Sequence, residues 1–290
     1  MNPTIAALFS EWVLSLYPIL IKTVHTNVFS QLLARFAVFP LLALLVGPAS
    51  DAMRIWSSPY ESMAAVFNGL LNLGHVTTSY LSYTLLPAGT AVALFYLYPL
   101  FNVIAGAILF GETLTIPAIL CLMVAFAGVY LIATQKRETV KEESEEATKN
   151  HHWGVIMGLL AALTETMIFI FVRWNKDAQR SPFYSIHHLY PAGLAALLWI
   201  AFKRPETVET SPTRWASLLG FNAILGFTGY LSRFYAIPKL STVVFSLLSF
   251  MGVAFGYIWG LLFTDDHPTA WSMVGGGMIA GAVSMLRLLS

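Results

Sequence analysis

Long apolar runs separated by short polar turns dominate this chain. No Asp, Glu, Lys or Arg lies between Glu61 and Glu112. That run is too long for one membrane span, because a single helix crosses the hydrocarbon core in about 20 residues. Breaks at Pro87-Ala88-Gly89 and Gly111-Glu112-Thr113, followed by a further apolar stretch, predict three consecutive membrane helices joined by short turns.

The same pattern over the whole chain predicts ten spans. The runs are continuous rather than alternating, which favours membrane helices over a barrel. One segment between the fifth and sixth runs, 135–152, is dense in alternating acids and bases, which is typical of a solvated tether. The ten predicted spans are about residues 4–24, 28–46, 62–84, 88–110, 114–134, 154–174, 182–202, 214–236, 240–263 and 268–288.

Spacing indicates that the chain is an internal repeat. An offset of 152 residues relates Tyr83 to Tyr235, and an offset of 154 relates Glu11 to Glu165. Five spans per half is an odd number, so the second half enters the membrane from the opposite side. We therefore predict an all-α membrane protein whose ten transmembrane helices form two inverted five-helix repeats. The predicted domains are a first repeat at 1–134, a charged linker at 135–152 and a second repeat at 153–290.

Composition agrees with a multi-pass integral membrane protein. The chain is 57% hydrophobic and 11% charged, against about 25% charged in soluble domains, and its mean hydropathy is +0.69. The net charge of +1 argues against a nucleic-acid partner. The single cysteine, Cys121, excludes an intrachain disulfide and leaves no zinc-binding pattern. We expect no metal and no cofactor.

These features resemble the drug/metabolite transporter superfamily, specifically its EamA-like branch. The resemblance rests on ten helices in two inverted halves, on Leu-Phe-Gly-Glu-Thr-Leu at 109–114 and on Ala-Arg-Phe at 34–36. The second half departs from it, because Phe-Thr-Asp-Asp at 263–266 replaces the Phe-Gly-Glu turn. The resemblance implies secondary transport of small metabolites, often export, through a central cavity lined by helices one to four and six to nine.

Three ionisable residues are predicted at membrane depth, where charges are costly and often functional. Glu11 and Glu165 are counterparts in the repeat and predict two carboxylates on the walls of one cavity. There they would bind an amine or carry a coupling proton. Arg35, near the centre of the second span, would receive a substrate carboxylate in a bidentate fork. The alternative is a structural ion pair between Glu11 and Arg35.

The third span has a polar face over four turns. Asn68, Asn72, His75, Ser79 and Tyr83 follow one another at spacings of three or four residues, which places them on one side of a helix. Such a stripe in a membrane helix lines a water-filled path or forms interhelical hydrogen bonds. We favour cavity lining for this face, and packing rather than proton relay for His75.

Other spans contribute single candidates. In the fourth span, Tyr98 and Asn102 lie one turn apart, and Pro99 frees a backbone carbonyl between them. In the seventh span, only one of the adjacent His187 and His188 can face inward.

The matching polar face of the eighth span includes Tyr230. We expect Arg233, close to the predicted end of that span, to snorkel to the membrane interface.

The leading hypothesis is a secondary transporter, an exporter or exchanger that works by alternating access. Its substrate would be a small zwitterion such as an amino acid, and coupling to protons through Glu11 and Glu165 is left open, as is a homodimer. We expect a plasma or inner membrane, with an organelle membrane as the alternative. The predicted substrate-binding residues are Glu11, Arg35, Asn72, His75, Ser79, Tyr83, Tyr98, Asn102, Glu165, His187, His188 and Tyr230.

Other functions are less well supported by the sequence. An organic-cation, polyamine or drug exporter is the nearest alternative, and it requires Arg35 to be locked in an ion pair away from the cavity. A membrane-embedded enzyme would need clustered ligands or a nucleophile beside a base, and the sequence shows no HExxH or GxSxG motif. In a scaffold protein the polar helix faces would pack directly against one another, without a water-filled cavity.

Overall fold

The computed structural model describes residues 1–86, 88–133, 145–263 and 270–289. Within these ranges every regular element is a helix, and each of the ten predicted spans coincides with one long helix or with a broken helix. The protein is an all-α, multi-pass membrane protein. The α-helices in these ranges are α1 (Pro3–Leu14), α2 (Tyr17–Thr23), α3 (Val28–Val46), α4 (Ala49–Arg54), α5 (Pro59–Leu85), α6 (Ala88–Phe95), α7 (Tyr98–Leu109), α8 (Ile116–Ala133), α9 (Glu145–Trp174), α10 (Lys176–Arg180), α11 (Pro182–Leu189), α12 (Pro191–Lys203), α13 (Pro212–Phe221), α14 (Phe227–Ala236), α15 (Thr242–Phe263) and α16 (Ala270–Leu289).

Length and apolar composition suit several helices to a membrane on their own. Among the described residues, five stretches meet this criterion: Pro3–Ile21, Val28–Val46, Asn150–Trp174, Pro182–Lys203 and Thr242–Phe263. Shorter apolar helices lie at Tyr98–Leu109, Ile116–Leu131 and Met273–Met285. The third, fourth and eighth spans are interrupted or carry polar faces, which shortens their uniformly apolar stretches.

Three spans predicted to be continuous are each broken into two helices. The breaks fall at Leu-Tyr-Pro sequences, at 16–18 between α1 and α2, at 97–99 between α6 and α7, and at 189–191 between α11 and α12. Proline has no N–H and clashes with the carbonyl four residues earlier, so it ends the preceding helix and begins the next. Each break places a buried tyrosine in the middle of the membrane protein.

Packing between the halves follows the inverted repeat. The third span, α5, packs against the sixth, α9, while the first, α1, packs against the eighth, α14. A two-fold axis that relates the halves would map the contact between the third and sixth spans onto the contact between the eighth and first spans. The fourth and ninth spans, α7 and α15, pack together, as do the fifth and tenth, α8 and α16.

Alternate loops lie on opposite sides of the bundle, and we call them the Met1 side and the far side. The Phe-Gly-Glu turn is on the Met1 side, where Gly111 has φ 65°, a left-handed conformation that glycine adopts without strain. The turn aims Glu112 at the start of α15: the carboxylate accepts hydrogen bonds from Thr242 N at 2.8 Å and Thr242 Oγ1 at 2.9 Å. Arg173, at the end of α9, also pairs with Glu112. This turn therefore ties the two halves together.

The far side is joined by the loop between α12 and α13. Asn27 Nδ2 donates to Thr207 O at 2.9 Å, and Glu209 N donates to Ser30 Oγ at 2.8 Å. Hydrogen bonds from the Ser211 backbone N–H and the Arg214 guanidinium lower the pKa of Glu209 to about 2. The carboxylate of Glu209 thus stays ionised and organises the loop.

The predicted linker at 135–152 lies partly outside the described residues, which resume at 145. Residues 145–152 form the first turns of α9, and the solvated tether stays a prediction. The repeat boundaries themselves stay predictions. The polar turn at 264–267 lies outside the described residues.

Candidate functional site

A buried guanidinium joins the two predicted carboxylates. Arg233 on α14 pairs with Glu11 on α1 through Nη1 and with Glu165 on α9 through Nη2, where the distance to Oε1 is 2.5 Å. The three side chains are each 5% exposed or less. Because an isolated charge is very costly to bury, each carboxylate depends on this shared partner. We call these residues, with His75, the Arg233 cluster.

His75 extends the cluster to α5. Its Nε2 lies 3.1 Å from Glu165 Oε2, and its Nδ1 lies 3.1 Å from Ala161 O and 3.2 Å from Thr164 Oγ1. The contact to the Ala161 carbonyl oxygen requires a proton on Nδ1. With that proton on Nδ1, Nε2 can donate to Glu165 only when His75 is an imidazolium. Glu165 is thus contacted by Arg233 and His75.

Arg233 does not snorkel to the interface, and that prediction is wrong. α14 continues into a 3-10 turn at Ile237–Lys239. Arg233 therefore lies farther from the end of the helical segment, and deeper in the bundle, than the predicted end of the span indicated. Charge balance was the available signal, since two buried carboxylates on facing helices require a cation. The alternative ion pair of Glu11 with Arg35 does not form, and Glu11 pairs with Arg233 instead.

Arg35 lies in an aromatic cage instead of an ion pair. Its guanidinium carbon is 4.3 Å from the ring centre of Tyr230 and 5.0 Å from that of Tyr17. Its Nη2 donates to Tyr190 Oη at 3.3 Å, while Nε is buried without a hydrogen-bond partner. In the described part of the chain, no carboxylate pairs with this cation.

The two arginine sites are adjacent on one helix. Tyr230, which faces Arg35, precedes Arg233 by three residues on α14, and side chains at that spacing lie about 5–6 Å apart on the same face. The Arg35 cage and the Arg233 cluster are therefore neighbouring parts of one buried polar region. Upstream, a π-helical turn at Asn222–Gly226 holds Asn222, whose Oδ1 accepts from Tyr17 Oη at 2.8 Å.

The three Leu-Tyr-Pro breaks supply tyrosines to this region. Tyr17 and Tyr190 contact Arg35, and the ring centre of Tyr98 lies 5.2 Å from the guanidinium carbon of Arg233. A chain break at proline turns the preceding tyrosine toward the middle of the bundle. Tyr98 was among the predicted substrate-binding residues, whereas Tyr17 and Tyr190 were not, although the repeated tripeptide was a visible signal.

A glycine on α15 makes room for the Arg233 cluster. A Cβ at Gly252 would overlap the Tyr96 hydroxyl and lie 2.6 Å from Glu11 Oε2. Tyr96 Oη donates to the same carboxylate oxygen at 3.5 Å. One turn later, a Cβ at Gly256 would meet only ordinary contacts, the nearest at 3.7 Å from Ser15 Cβ.

The rest of the predicted polar face makes mainly structural contacts. Asn72 Nδ2 donates to Leu189 O at 2.9 Å, and Ser79 Oγ donates to His75 O on its own helix. Asn102 is fully buried, and both its side-chain polar atoms lack partners. Tyr83 is partly buried against the core.

The two adjacent histidines contact other groups. His188 approaches Glu61 and Asn68, and His187 is buried with Nε2 unpartnered. Neither has a recorded contact with Glu11, Glu165 or Arg233. Among the described residues, no three His, Cys, Asp or Glu side chains are placed to hold a metal ion.

The sequence matches the model of the EamA-like transporter family over residues 3–134 and 152–288. The chain belongs to this family. Membership confirms the predicted family and its class, which is that of transporters and not of enzymes. The two matched segments lie in the two halves that pack against each other.

Two curated relatives are similar to this chain at lower identity. Both are named "Pseudopaline exporter CntI", from Pseudomonas aeruginosa strains UCBPP-PA14 and PAO1, and each is 24% identical over 199 residues. The match covers 68% of this chain and 65% of the relative, so the chain spans just under two thirds of the length of these exporters. One crystal structure superimposes with a TM-score of 0.76 at 15% identity, covering 99% of this chain and 98% of the other. That likeness shows the fold alone.

Replacing Arg233 should expose the charge imbalance directly. Arg233→Gln leaves two buried carboxylates without their cation, and breaking a buried pair in this way costs about 3–5 kcal/mol. We expect a large fall in Tm of the purified protein in detergent. The triple variant with Glu11→Gln and Glu165→Gln should recover much of the loss. An Arg233→Gln protein as stable as the wild type would contradict the shared pairing.

A methyl group at Gly252 should disturb the same cluster without changing its charge. Gly252→Ala would displace Tyr96 or Glu11, and overpacking of this kind costs about 1–3 kcal/mol. We expect a lower Tm than for Gly256→Ala, the matched control on the same face of α15. Equal Tm values for the two variants would show that the Arg233 cluster does not depend on the absence of a side chain at position 252.

Proposed function

We propose that this protein is a secondary transporter that exports a small zwitterion, such as an amino acid. The observation that carries the proposal is a buried arginine on α3, Arg35, which has no carboxylate partner among the described residues. It faces Tyr230, one helical turn along α14 from Arg233 and its two carboxylates. A zwitterion would supply the complementary charge to both places.

The Arg233 cluster is suited to the ammonium end of such a substrate. With both carboxylates ionised, Glu11, Glu165 and Arg233 sum to one negative charge, and within the cluster only a protonated His75 would balance it. Buried charge of this kind requires a compensating cation. An arriving ammonium group would hydrogen-bond to Glu11, whose second partner, the Tyr96 hydroxyl at 3.5 Å, is a weak donor.

The Arg35 cage is suited to the carboxylate end. A guanidinium presents two parallel N–H donors that match a carboxylate, and Arg35 uses only one recorded hydrogen bond, to Tyr190. A transporter of organic cations would need Arg35 neutralised by an ion pair, which is not seen among the described residues. This difference favours the zwitterion, while the carboxylate excess keeps an organic cation as the second candidate.

Export and alternating access rest on the family and its relatives. The relatives are named as exporters, and the inverted repeat allows the halves to rock around a central site. Polar ties between the halves occur on both sides of the bundle, at Glu112 on the Met1 side and at Thr207 and Glu209 on the far side. These ties would open alternately. The membrane in which the protein resides and a homodimeric assembly stay predictions.

Proton coupling is part of the same proposal. Substrate binding and a proton would compensate the same excess charge, and Glu11 is the carboxylate with the weaker set of partners. We propose that Glu11 exchanges a proton as the substrate leaves, while Glu165 stays held by Arg233 and His75.

A ligand series tests the substrate class. A panel of amino acids is screened for a rise in Tm of the detergent-purified protein, and the best ligand is compared with its methyl ester and its N-acetyl derivative. We expect the zwitterion to bind best, because the ester lacks the carboxylate and the acetylated form lacks the ammonium group.

Variants assign each end of the ligand. Arg35→Gln should weaken the zwitterion roughly 10–100-fold, the equivalent of a lost charged hydrogen bond, and remove its advantage over the ester. Lys203→Gln, which removes a surface cation over Trp199, is the matched control. Tighter binding of the ester than of the zwitterion by the wild type would instead favour the organic-cation exporter.

The coupling step has its own test in proteoliposomes. Glu11→Gln should retain exchange of substrate for substrate at raised substrate concentration, because the amide oxygen still accepts a hydrogen bond from the ammonium group. It should lose accumulation driven by a pH gradient, because the amide cannot carry the proton. Glu206→Gln, in the exposed far-side loop, should behave as the wild type. Gradient-driven accumulation that survives in Glu11→Gln would exclude Glu11 as the proton carrier.

A further inference from the structure

A pocket lined by one carboxylate and several aromatic residues lies at the Met1-side ends of α5 and α9. Its volume is about 260 Å³. Tyr60, Glu61 and Asn68 line it from α5, and Phe171 and Trp174 line it from α9. It shares no lining residue with the Arg233 cluster or the Arg35 cage, so it is a separate site.

A layer of buried side chains fixes the Glu61 carboxylate. Tyr184 Oη donates to Glu61 Oε2 at 2.7 Å. His188 Nε2 lies 3.6 Å from the same oxygen, which is beyond hydrogen-bond distance, and this fully buried nitrogen has no other partner. Asn68 Nδ2 donates toward His188 Nδ1 at 3.3 Å, so the imidazole proton lies on Nε2 and faces Glu61.

The carboxylate has no cation of its own. Within the described ranges no Lys or Arg pairs with Glu61, because neighbouring arginines are engaged elsewhere: Arg54 with Asp177, and Arg173 with Glu112. The recorded side-chain contacts of Glu61 both go to Oε2, which leaves Oε1 for a ligand. Its side chain is 26% exposed and so can be reached from outside.

Aromatic rings surround this carboxylate. Tyr60 and Trp174 are largely exposed, at 77% and 62%, in the position typical of aromatic residues at a membrane interface. Phe171 stacks on His188 with ring centres 4.7 Å apart. Aromatic faces attract cations, and together with a carboxylate they favour an ammonium ligand. The volume is below the roughly 300–1,000 Å³ of drug-sized ligand pockets, so only a small group fits.

We propose that this pocket binds a primary ammonium group, with Glu61 as its anionic partner and Tyr60, Phe171 and Trp174 as its walls. The ammonium belongs either to a soluble amine or to the amine headgroup of a membrane lipid. This inference is independent of the proposed substrate, since none of the residues involved contacts the Arg233 cluster.

Melting of the full-length protein under two sets of conditions tests the pocket and separates the two sources. In detergent, ethanolamine is titrated against ethylene glycol, its neutral analogue. In nanodiscs, phosphatidylcholine bilayers are compared with bilayers containing phosphatidylethanolamine of the same chains. We expect an ammonium-specific rise in Tm in at least one set.

The variants then locate the effect. Glu61→Gln keeps an oxygen that accepts from Tyr184 but loses the charge, and it should weaken binding roughly 10–100-fold. If Glu61→Gln does not fold, Trp174→Leu, which changes an exposed aromatic residue of the pocket, tests whether the aromatic lining binds the ammonium group. Glu206→Gln, which changes only the exposed far-side loop, is the matched surface control and should keep the effect.

The source of the ammonium group follows from which condition raises the Tm. A rise with ethanolamine that depends on Glu61 or Trp174 supports a soluble amine, and a rise only with phosphatidylethanolamine that depends on them supports a lipid headgroup. The proposal is overturned if neither condition shows an ammonium-specific rise, or if the rise is unchanged by Glu61→Gln and Trp174→Leu.

Discussion

The ion pairs of Arg233 with Glu11 and Glu165 constrain the centre of this protein. In a membrane interior a lone charge is costly, so one guanidinium that serves two carboxylates fixes α1, α9 and α14 relative to one another. Glu11 belongs to the first half and Glu165 and Arg233 to the second. The same contact therefore joins the two halves where a transporter of this architecture would have to rearrange.

Other features of the sequence support this arrangement. Leu-Tyr-Pro breaks bring Tyr17 and Tyr190 to Arg35 and Tyr98 to Arg233. Gly252 leaves the space that Tyr96 and Glu11 occupy. Spans that are broken beside a charged centre have fewer backbone hydrogen bonds to hold them straight, and such breaks are typical of transporters whose halves move around a midplane site.

Most of the fold was predictable because membrane spans are specified by apolar length. The position of Glu11 opposite Glu165 followed from the repeat spacing. The partner of both was missed, because the distance of Arg233 from a predicted helix end does not reveal the 3-10 turn that follows α14. Contacts of His188 with Glu61 also depend on how α11 and α5 pack, which no local pattern specifies. The charge pattern of residues 145–152 did not reveal that their backbone forms the first turns of α9.

Solute counterflow in proteoliposomes would measure the proposed activity most directly. Vesicles loaded with the stabilising amino acid, and containing wild-type, Arg35→Gln or Lys203→Gln protein, are diluted into a trace of the same labelled compound. We predict transient accumulation with the wild type and with Lys203→Gln, and little or none with Arg35→Gln. Accumulation by Arg35→Gln equal to that of the wild type would contradict a site in which Arg35 receives the substrate carboxylate.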